Sequence, residues 1–177
     1  MRKKQEKEYS LKREIVSWVV SLLTALAVAM LLKTFVFGLI RVDGTSMMTT
    51  LRDRDRMYVS ILTARIAGYE RGDVVICRYP GADHRCVKRI IGLPGETVSV
   101  DQGVVYVNGE PLEEEYVVYS DMRSMEEMQL ADGEYFVLGD NRPMSKDSRD
   151  PSVGAVTEVI GKVRWIIWPP SRMGKVE

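Results

Sequence analysis

Val74-Val75-Ile76-Cys77-Arg78-Tyr79-Pro80-Gly81-Ala82-Asp83-His84-Arg85-Cys86-Val87 reads as two β-forming runs on either side of a Pro-Gly turn. A hairpin centred between Gly81 and Ala82 sets Cys77 directly opposite Cys86. Opposed residues in antiparallel strands lie about 4.5–5.5 Å apart at Cα, within disulfide range. An oxidising compartment would permit the bond. Two small buried side chains would suit the same positions, and the pattern leaves both readings open. With no CxxC spacing and no further Cys/His ligands, neither a structural zinc nor any other metal is expected.

The same texture extends outward. Thr97 to Val100, Val104 to Val107, Glu134 to Leu138 and Lys162 to Ile167 are short β-branched or aromatic runs between turn residues. Asn108-Gly109 after Val107 is a type I′ turn signal, and Leu93-Pro94-Gly95 and Asp132-Gly133 mark other turns. Residues 120–130, with Met122, Met125 and Met128, fit a short helix or a loop equally well. No long amphipathic helix, repeat or low-complexity linker interrupts the pattern. The expectation is a mainly β, mostly antiparallel domain. In the terminal Trp165-Ile166-Ile167-Trp168 run, core packing is expected for at least one tryptophan, the alternative being the membrane interface. Tyr58, Ile61, Leu62 and Ile66 are a weaker candidate for a lipid-resting surface.

Upstream the chain changes character. Ile15 to Leu32 reads IVSWVVSLLTALAVAMLL, with nothing more polar than serine or threonine. As a helix it spans about 27 Å, close to the hydrocarbon thickness of a bilayer. Lys33 can snorkel to the headgroups, and apolar character resumes through Ile40. A cleaved signal would have a shorter apolar core, and the small-x-small triplets Ala25-Leu26-Ala27 and Ala27-Val28-Ala29 lie inside this run rather than beyond it. A buried soluble helix would show a polar face. Three parts are expected: a basic cytoplasmic segment over 1–14, a single-pass anchor over 15–40 and an extracytoplasmic β domain over 41–177. Arg2, Lys3, Lys4, Lys7, Lys12 and Arg13 set that orientation. Twenty-five basic residues balance twenty-five acidic ones, so nucleic acid is not an expected partner.

Gly44-Thr45-Ser46-Met47-Met48 follows the anchor closely, and its glycine can adopt backbone angles closed to other residues. Such a turn can present the Ser46 hydroxyl together with its own N–H, a donor for an oxyanion. A hydroxyl nucleophile needs a base. His84, the only histidine, falls in the expected hairpin turn, where a solvated side chain fits better than a catalytic one. Lys88, between Cys86-Val87 and Ile90-Ile91, is placed to be buried. Burial can bring a lysine from about 10.4 toward about 7–8. Downstream, Gly139-Asp140-Asn141-Arg142-Pro143-Met144-Ser145-Lys146-Asp147-Ser148-Arg149 is dense in charge directly after an apolar strand. Asp140, Arg142, Asp147 and Arg149 could form an ion-pair scaffold holding Ser145 against the lysine amine.

Taken in order, Ser46-Met47-Met48-Thr49-Thr50-Leu51, Arg71-Gly72-Asp73-Val74-Val75, Lys88-Arg89-Ile90-Ile91-Gly92-Leu93-Pro94-Gly95-Glu96 and Gly139 through Arg149 resemble the boxes of bacterial type I signal peptidases, and more closely the smaller Gram-positive branch. The resemblance implies a β domain of the signal peptidase/LexA-like type and a Ser/Lys dyad protease of the cytoplasmic membrane. It would cut signal peptides from exported preproteins after small-x-small sites without any cofactor. Its partners would be those signal peptides and the lipid bilayer. By motif, Ser46 would be the nucleophile and Lys88 the general base. Ser145 would orient Lys88, Asp147 and Arg149 would buttress the loop, and Arg89 would pair with Asp140. Val42, Leu51, Cys86 and Val87 would surround the substrate pockets. Gly44 stands where the Gram-negative branch has an oxyanion-binding serine, leaving backbone donors. Thr49 replaces a usual proline and Met144 a usual asparagine, departures that loosen positioning without removing a reacting group. A LexA-like self-cleaving domain would instead cut its own chain and carry a DNA-binding partner domain. A tethered, non-catalytic β domain that binds exported peptides is the alternative from another class.

Overall fold

The computed structural model describes residues 2–35 and 37–176, with the side chains of all but 2–12, 31–35, 37 and 63–65. It divides into two units, Met1–Phe37 and Gly38–Glu177. The first unit is the helix α1 (Arg2–Phe35), and its window Arg13–Met30 is long and apolar enough to cross a membrane. Its described side chains are exposed, Trp18 and Leu22 among them, and a helix apolar all round that no protein core covers suits a membrane span. The side chains of Lys33 and of the basic residues before Arg13 lie outside the described residues. Phe37 to Ile40, read as the end of the apolar anchor, belong to a strand instead. A continuous apolar run does not by itself separate helix from buried strand.

Strands β1 (Phe37–Arg41), β2 (Arg56–Ser60), β3 (Val74–Arg78) and β4 (Arg85–Gly92) open the second unit, with the short helix α2 (Leu62–Ala67) between β2 and β3. The chain then makes a separate small sheet from β5 (Thr97–Asp101), β6 (Val104–Val107), β7 (Glu110–Pro111) and β8 (Met125–Gln129), before β9 (Phe136–Leu138), β10 (Glu158–Trp168) and β11 (Gly174–Lys175) return to the first. The larger sheet runs β1-β2-β10-β3-β4-β9 with β11 on β10, and the smaller runs β7-β6-β5-β8. Ladders β10–β2, β10–β3, β3–β4, β4–β9 and β5–β6 are antiparallel. The expected hairpin forms as β3–β4, with Cys77 opposite Cys86. Asn108 and Gly109 both take positive φ, 52° and 81°, as a type I′ turn requires.

Alternation along β3 explains its uninterrupted apolar sequence. Val74 and Ile76 enter one core with Val42, Leu51, Met57 and Val163. Val75 and Cys77 enter another with Ile90, Val137 and Val156. A strand buried on both faces has no polar partner for its apolar residues.

Two expectations fail here. Residues 125–129 form a strand, neither helix nor loop. A register shift lies between the pairs Val98–Met128 and Val100–Met125, so two methionines spaced three apart imitate a helical period on a bulged strand. Neither terminal tryptophan is a core residue: Trp165 and Trp168 are 51% and 54% exposed while Val163 and Ile166 point inward. Leu62 and Ile66 are exposed as well.

Candidate active site

Ser46 stands in a turn that several bonds fix. Val42 N–H donates to the Asp55 carbonyl at 2.8 Å, and Arg54 N–H returns to Val42 at 2.9 Å. Gly44 has φ +110°, an angle side chains resist, and its N–H donates to Asp53 Oδ1 at 3.0 Å. Met47 and Leu51 then plug into the core beneath. The turn's hydrogen bonds leave the Ser46 N–H unused among the described residues. From the other side, Asn141 N–H donates to the Ser46 carbonyl at 3.0 Å and Asn141 Nδ2 to the Thr45 carbonyl at 3.1 Å.

Lys88 comes from β4, where it is only 4% exposed. Its Nζ lies 2.7 Å from Ser46 Oγ and 3.1 Å from the Val87 carbonyl. Burial pushes the Lys88 amine below its ordinary 10.5, because a charged ammonium there loses its hydration. Cys86, Asp147, Cys77 and Asp140 pull the other way. An alcohol against an amine deprived of water is the arrangement a proton transfer requires.

The polar run after β9 is a scaffold rather than a solvated loop. Arg89 grips Asp140 with two bonds, Nε to Oδ1 at 2.9 Å and Nη2 to Oδ2 at 2.7 Å. Arg149 holds Asp147 the same way, at 2.9 and 3.0 Å, and Asp147 also accepts from Gly139 N–H at 3.1 Å. These residues are all buried.

The sequence did not single out the acids that complete this network. Glu114 takes Arg142 at 2.5 Å and Asp121 takes Arg149 at 2.9 Å. Tyr116 lies under the Arg89 guanidinium at 3.9 Å, and Tyr119 accepts Arg142 N–H at 3.0 Å. One signal was available: Arg89, Arg142 and Arg149 outnumber Asp140 and Asp147, and buried guanidiniums demand carboxylates.

Ser145 departs from its expected role. It is buried, but its Oγ has no hydrogen-bond partner, so the expected bond to Lys88 is not formed. Both hydrogen bonds of the Lys88 amine go to Ser46 and Val87. Gly139 makes room for Ser145, since a Cβ there would fall within 2.6 Å of the Ser145 Cβ. Ser145→Ala is therefore expected to keep or slightly raise the melting temperature, removing an unsatisfied hydroxyl. If Ser145 swings to Lys88 during turnover, kcat falls about tenfold or more with little change in KM. An unchanged kcat removes it from the machinery.

Ser46 and Lys88 lie in a groove of about 470 Å³ between residues 40–47 and the β4 segment 85–88. Val42, Cys86 and Val87 line it, together with Ile40, Ile76 and Met144. Leu51 does not: it is fully buried in the core below, supporting the floor. β4 pairs with β9 only over Arg89–Gly92, so the outer edge of 85–88 faces the groove without a strand partner among the described residues. His84 and Tyr79 also border the groove, with His84 exposed at the hairpin turn.

Comparison with known proteins places the chain in a family. The family model described as signal peptidase, peptidase S26 matches residues 15–168. Signal peptidase I S of Bacillus subtilis is 34% identical over 94% of this chain and 96% of its own length. Signal peptidase IB of Staphylococcus aureus strain COL is 32% identical over 90% and 92%. A crystal structure of a signal peptidase I from Enterococcus faecalis aligns with 35% identity and a TM-score of 0.46, covering 53% of this chain and 95% of that one. A pre-formed hydroxyl–amine pair in a groove, reached by matches along nearly the whole chain, leads to one assignment: the chain belongs to the signal peptidase, peptidase S26 family, as a membrane-anchored serine peptidase that removes signal peptides from preproteins.

Proposed function

We propose that Ser46 is the nucleophile and Lys88 the general base of a Ser/Lys dyad that cuts after small-x-small sites. The 2.7 Å contact between Lys88 Nζ and Ser46 Oγ carries this reading. The substrate's residues before the cut add as an extended strand to the free edge at 85–88, opposite residues 41–45. Backbone hydrogen bonds supply affinity, and pockets bounded by Val42, Val87 and Ile76 supply specificity. Neutral Lys88 takes the Ser46 proton as Oγ attacks the carbonyl carbon. The Ser46 N–H faces the developing oxyanion. Lys88 returns the proton to the leaving amine, which departs with the mature protein. A water, deprotonated by Lys88, then opens the acyl-enzyme and frees Ser46. The chain's own groups complete this cycle.

The basic residues before Ile15 support a cytoplasmic N-terminus over 1–14, a single-pass anchor from residue 15 and an extracytoplasmic catalytic domain over 41–177. External protease on spheroplasts should then digest the β domain and spare α1.

The activity test is a peptide bearing Ala-x-Ala, given to detergent-solubilised full chain. Wild type should cut after the second alanine, and Ser46→Ala should lower kcat by at least about a thousandfold. Equal turnover by both would end the assignment, and background turnover by both would leave a binding domain. No finding favours the binding domain at present.

A further inference from the structure

Cys77 and Cys86 lie outside the mechanism above, yet they adjoin its base. They are opposed in the β3–β4 register, with Sγ atoms 3.4 Å apart and both thiols free. Closing that gap to the roughly 2.05 Å of a disulfide needs small side-chain rotations rather than strand movement, since the Cα atoms are already opposed. The two differ in access. Cys77 is fully buried, whereas Cys86 lines the groove that holds Ser46 and Lys88. Cys86 and Lys88 are two residues apart on β4 and so share a face of the strand.

We propose that Cys77 and Cys86 form a redox pair whose closure to a disulfide, by exchange with a disulfide-bearing oxidant, removes charge beside Lys88 and widens the pH range of catalysis. The exchange balances as two thiols plus one donor disulfide giving one protein disulfide plus two donor thiols. The Cys86 thiolate attacks the donor disulfide and expels the first donor thiol, leaving a mixed disulfide. Cys77 then loses its proton and attacks the Cys86 sulfur, expelling the second. Two electrons and two protons pass to the donor.

The assignment of attacker follows from position as well as acidity. Cys86 is the sulfur a donor can reach, and its pKa is lowered to about 7 by the hydrogen bond from Cys77, which with help from Tyr79 and Lys88 outweighs the opposing effect of burial. The Cys77 thiol is pushed up by that same bond and by burial.

In the reduced enzyme a proton can pass from Cys86 to Lys88, leaving a thiolate beside an ammonium and the base occupied. Oxidation abolishes that state. Oxidation leaves the other charged and titratable groups around Lys88 in place: Asp140 and Asp147 behind it, Lys146 beside them, and Arg41, Asp43, His84 and Arg85 along the groove. Tyr79, raised far above its usual range by burial, stays neutral.

This inference rests on Lys88 as the base for its kinetic part only. The full chain in detergent is equilibrated with oxidised glutathione or with a phosphine reductant, then examined by intact mass and by pH–rate profile on the Ala-x-Ala peptide. Wild type should lose two hydrogens in mass and keep no glutathione. Cys77→Ala should stop at the mixed disulfide and retain one glutathione. The acid limb of kcat/KM for oxidised wild type should lie about one pH unit below that of the reduced form. Two unreacted thiols, or a glutathione retained on wild type, would overturn the redox pair. A closed disulfide with superimposable profiles would overturn its coupling to Lys88.

Discussion

Lys88→Met is expected to lower kcat on an Ala-x-Ala peptide by at least about a thousandfold while leaving the β domain as stable as wild type or more so. Methionine has nearly the length of lysine, fills the same space and has no proton to accept or give. Burial disfavours the lysine ammonium, so methionine removes an unfavourable charge rather than a stabilising one. The pH dependence has a definite sign. Lys88 must be neutral to accept the Ser46 proton, so wild-type kcat/KM should rise as pH rises through the folded value of Lys88, which lies below 10.5. Because the folded value is depressed, the unfolded chain binds more protons between the folded and unfolded values. Stability therefore increases with pH across that window in wild type, and Lys88→Met should lose this component. Lys88→Arg cannot serve as a base, because guanidinium keeps its proton at any workable pH. Wild-type kcat in Lys88→Met would refute the dyad outright.

Much of the β domain was legible because its strands obey simple rules. The Pro-Gly turn at Pro80-Gly81 and the Asn108-Gly109 turn fix the β3–β4 and β6–β7 hairpins by local chemistry alone, and Cys77 pairs with Cys86 in the first of them. What escaped is what local pattern cannot encode. Phe37 to Ile40 pass from helix-like to strand-like without any change in polarity, so the change to strand at Phe37 is invisible to hydropathy. The Met125 and Met128 spacing gave a false helical period because a bulge shifts the register.

For the site, the contrast is sharper. Lys88 could be placed because apolar neighbours on β4 predicted its burial. Ser46 could be placed because Gly44 requires a turn. Glu114, Tyr116 and Asp121 could not, since each acts across a long sequence separation, on Arg142, Arg89 and Arg149, from a segment without strong periodicity. Leu51 was assigned to the pocket by resemblance, yet its zero exposure puts it under the floor. Residues that touch a substrate and residues that support those that do are indistinguishable in sequence.

Asp140→Ala is expected to destabilise the protein by about 3–5 kcal/mol, the penalty for stranding a buried partner charge. Asp140 is 1% exposed and accepts three bonds, two from Arg89 and one from Thr50 Oγ1 at 2.5 Å. With the carboxylate gone, Arg89 loses its paired charge, and the Gly72 carbonyl at 2.8 Å, the Thr50 hydroxyl at 3.3 Å and the Tyr116 ring are neutral groups that do not replace it. The melting temperature should fall by about 10 °C, measured on the detergent-solubilised full chain. Arg89→Met combined with Asp140→Ala should recover a large part of that loss, because the stranded cation is then removed along with its partner. Activity should not recover in parallel. Arg89 follows Lys88 on β4, and Asp140 precedes Asn141, whose two bonds hold the Ser46 and Thr45 carbonyls. The ion pair thus ties the strand that carries the base to the turn that carries the nucleophile. A misplacement of about 1 Å between reacting groups costs about a hundredfold in rate. The double variant should accordingly be stable with low kcat and a nearly normal KM. A single variant melting within about 1 °C of wild type would show that the pair contributes little to the fold. A stable double variant with normal kcat would show that the dyad is held by other bonds.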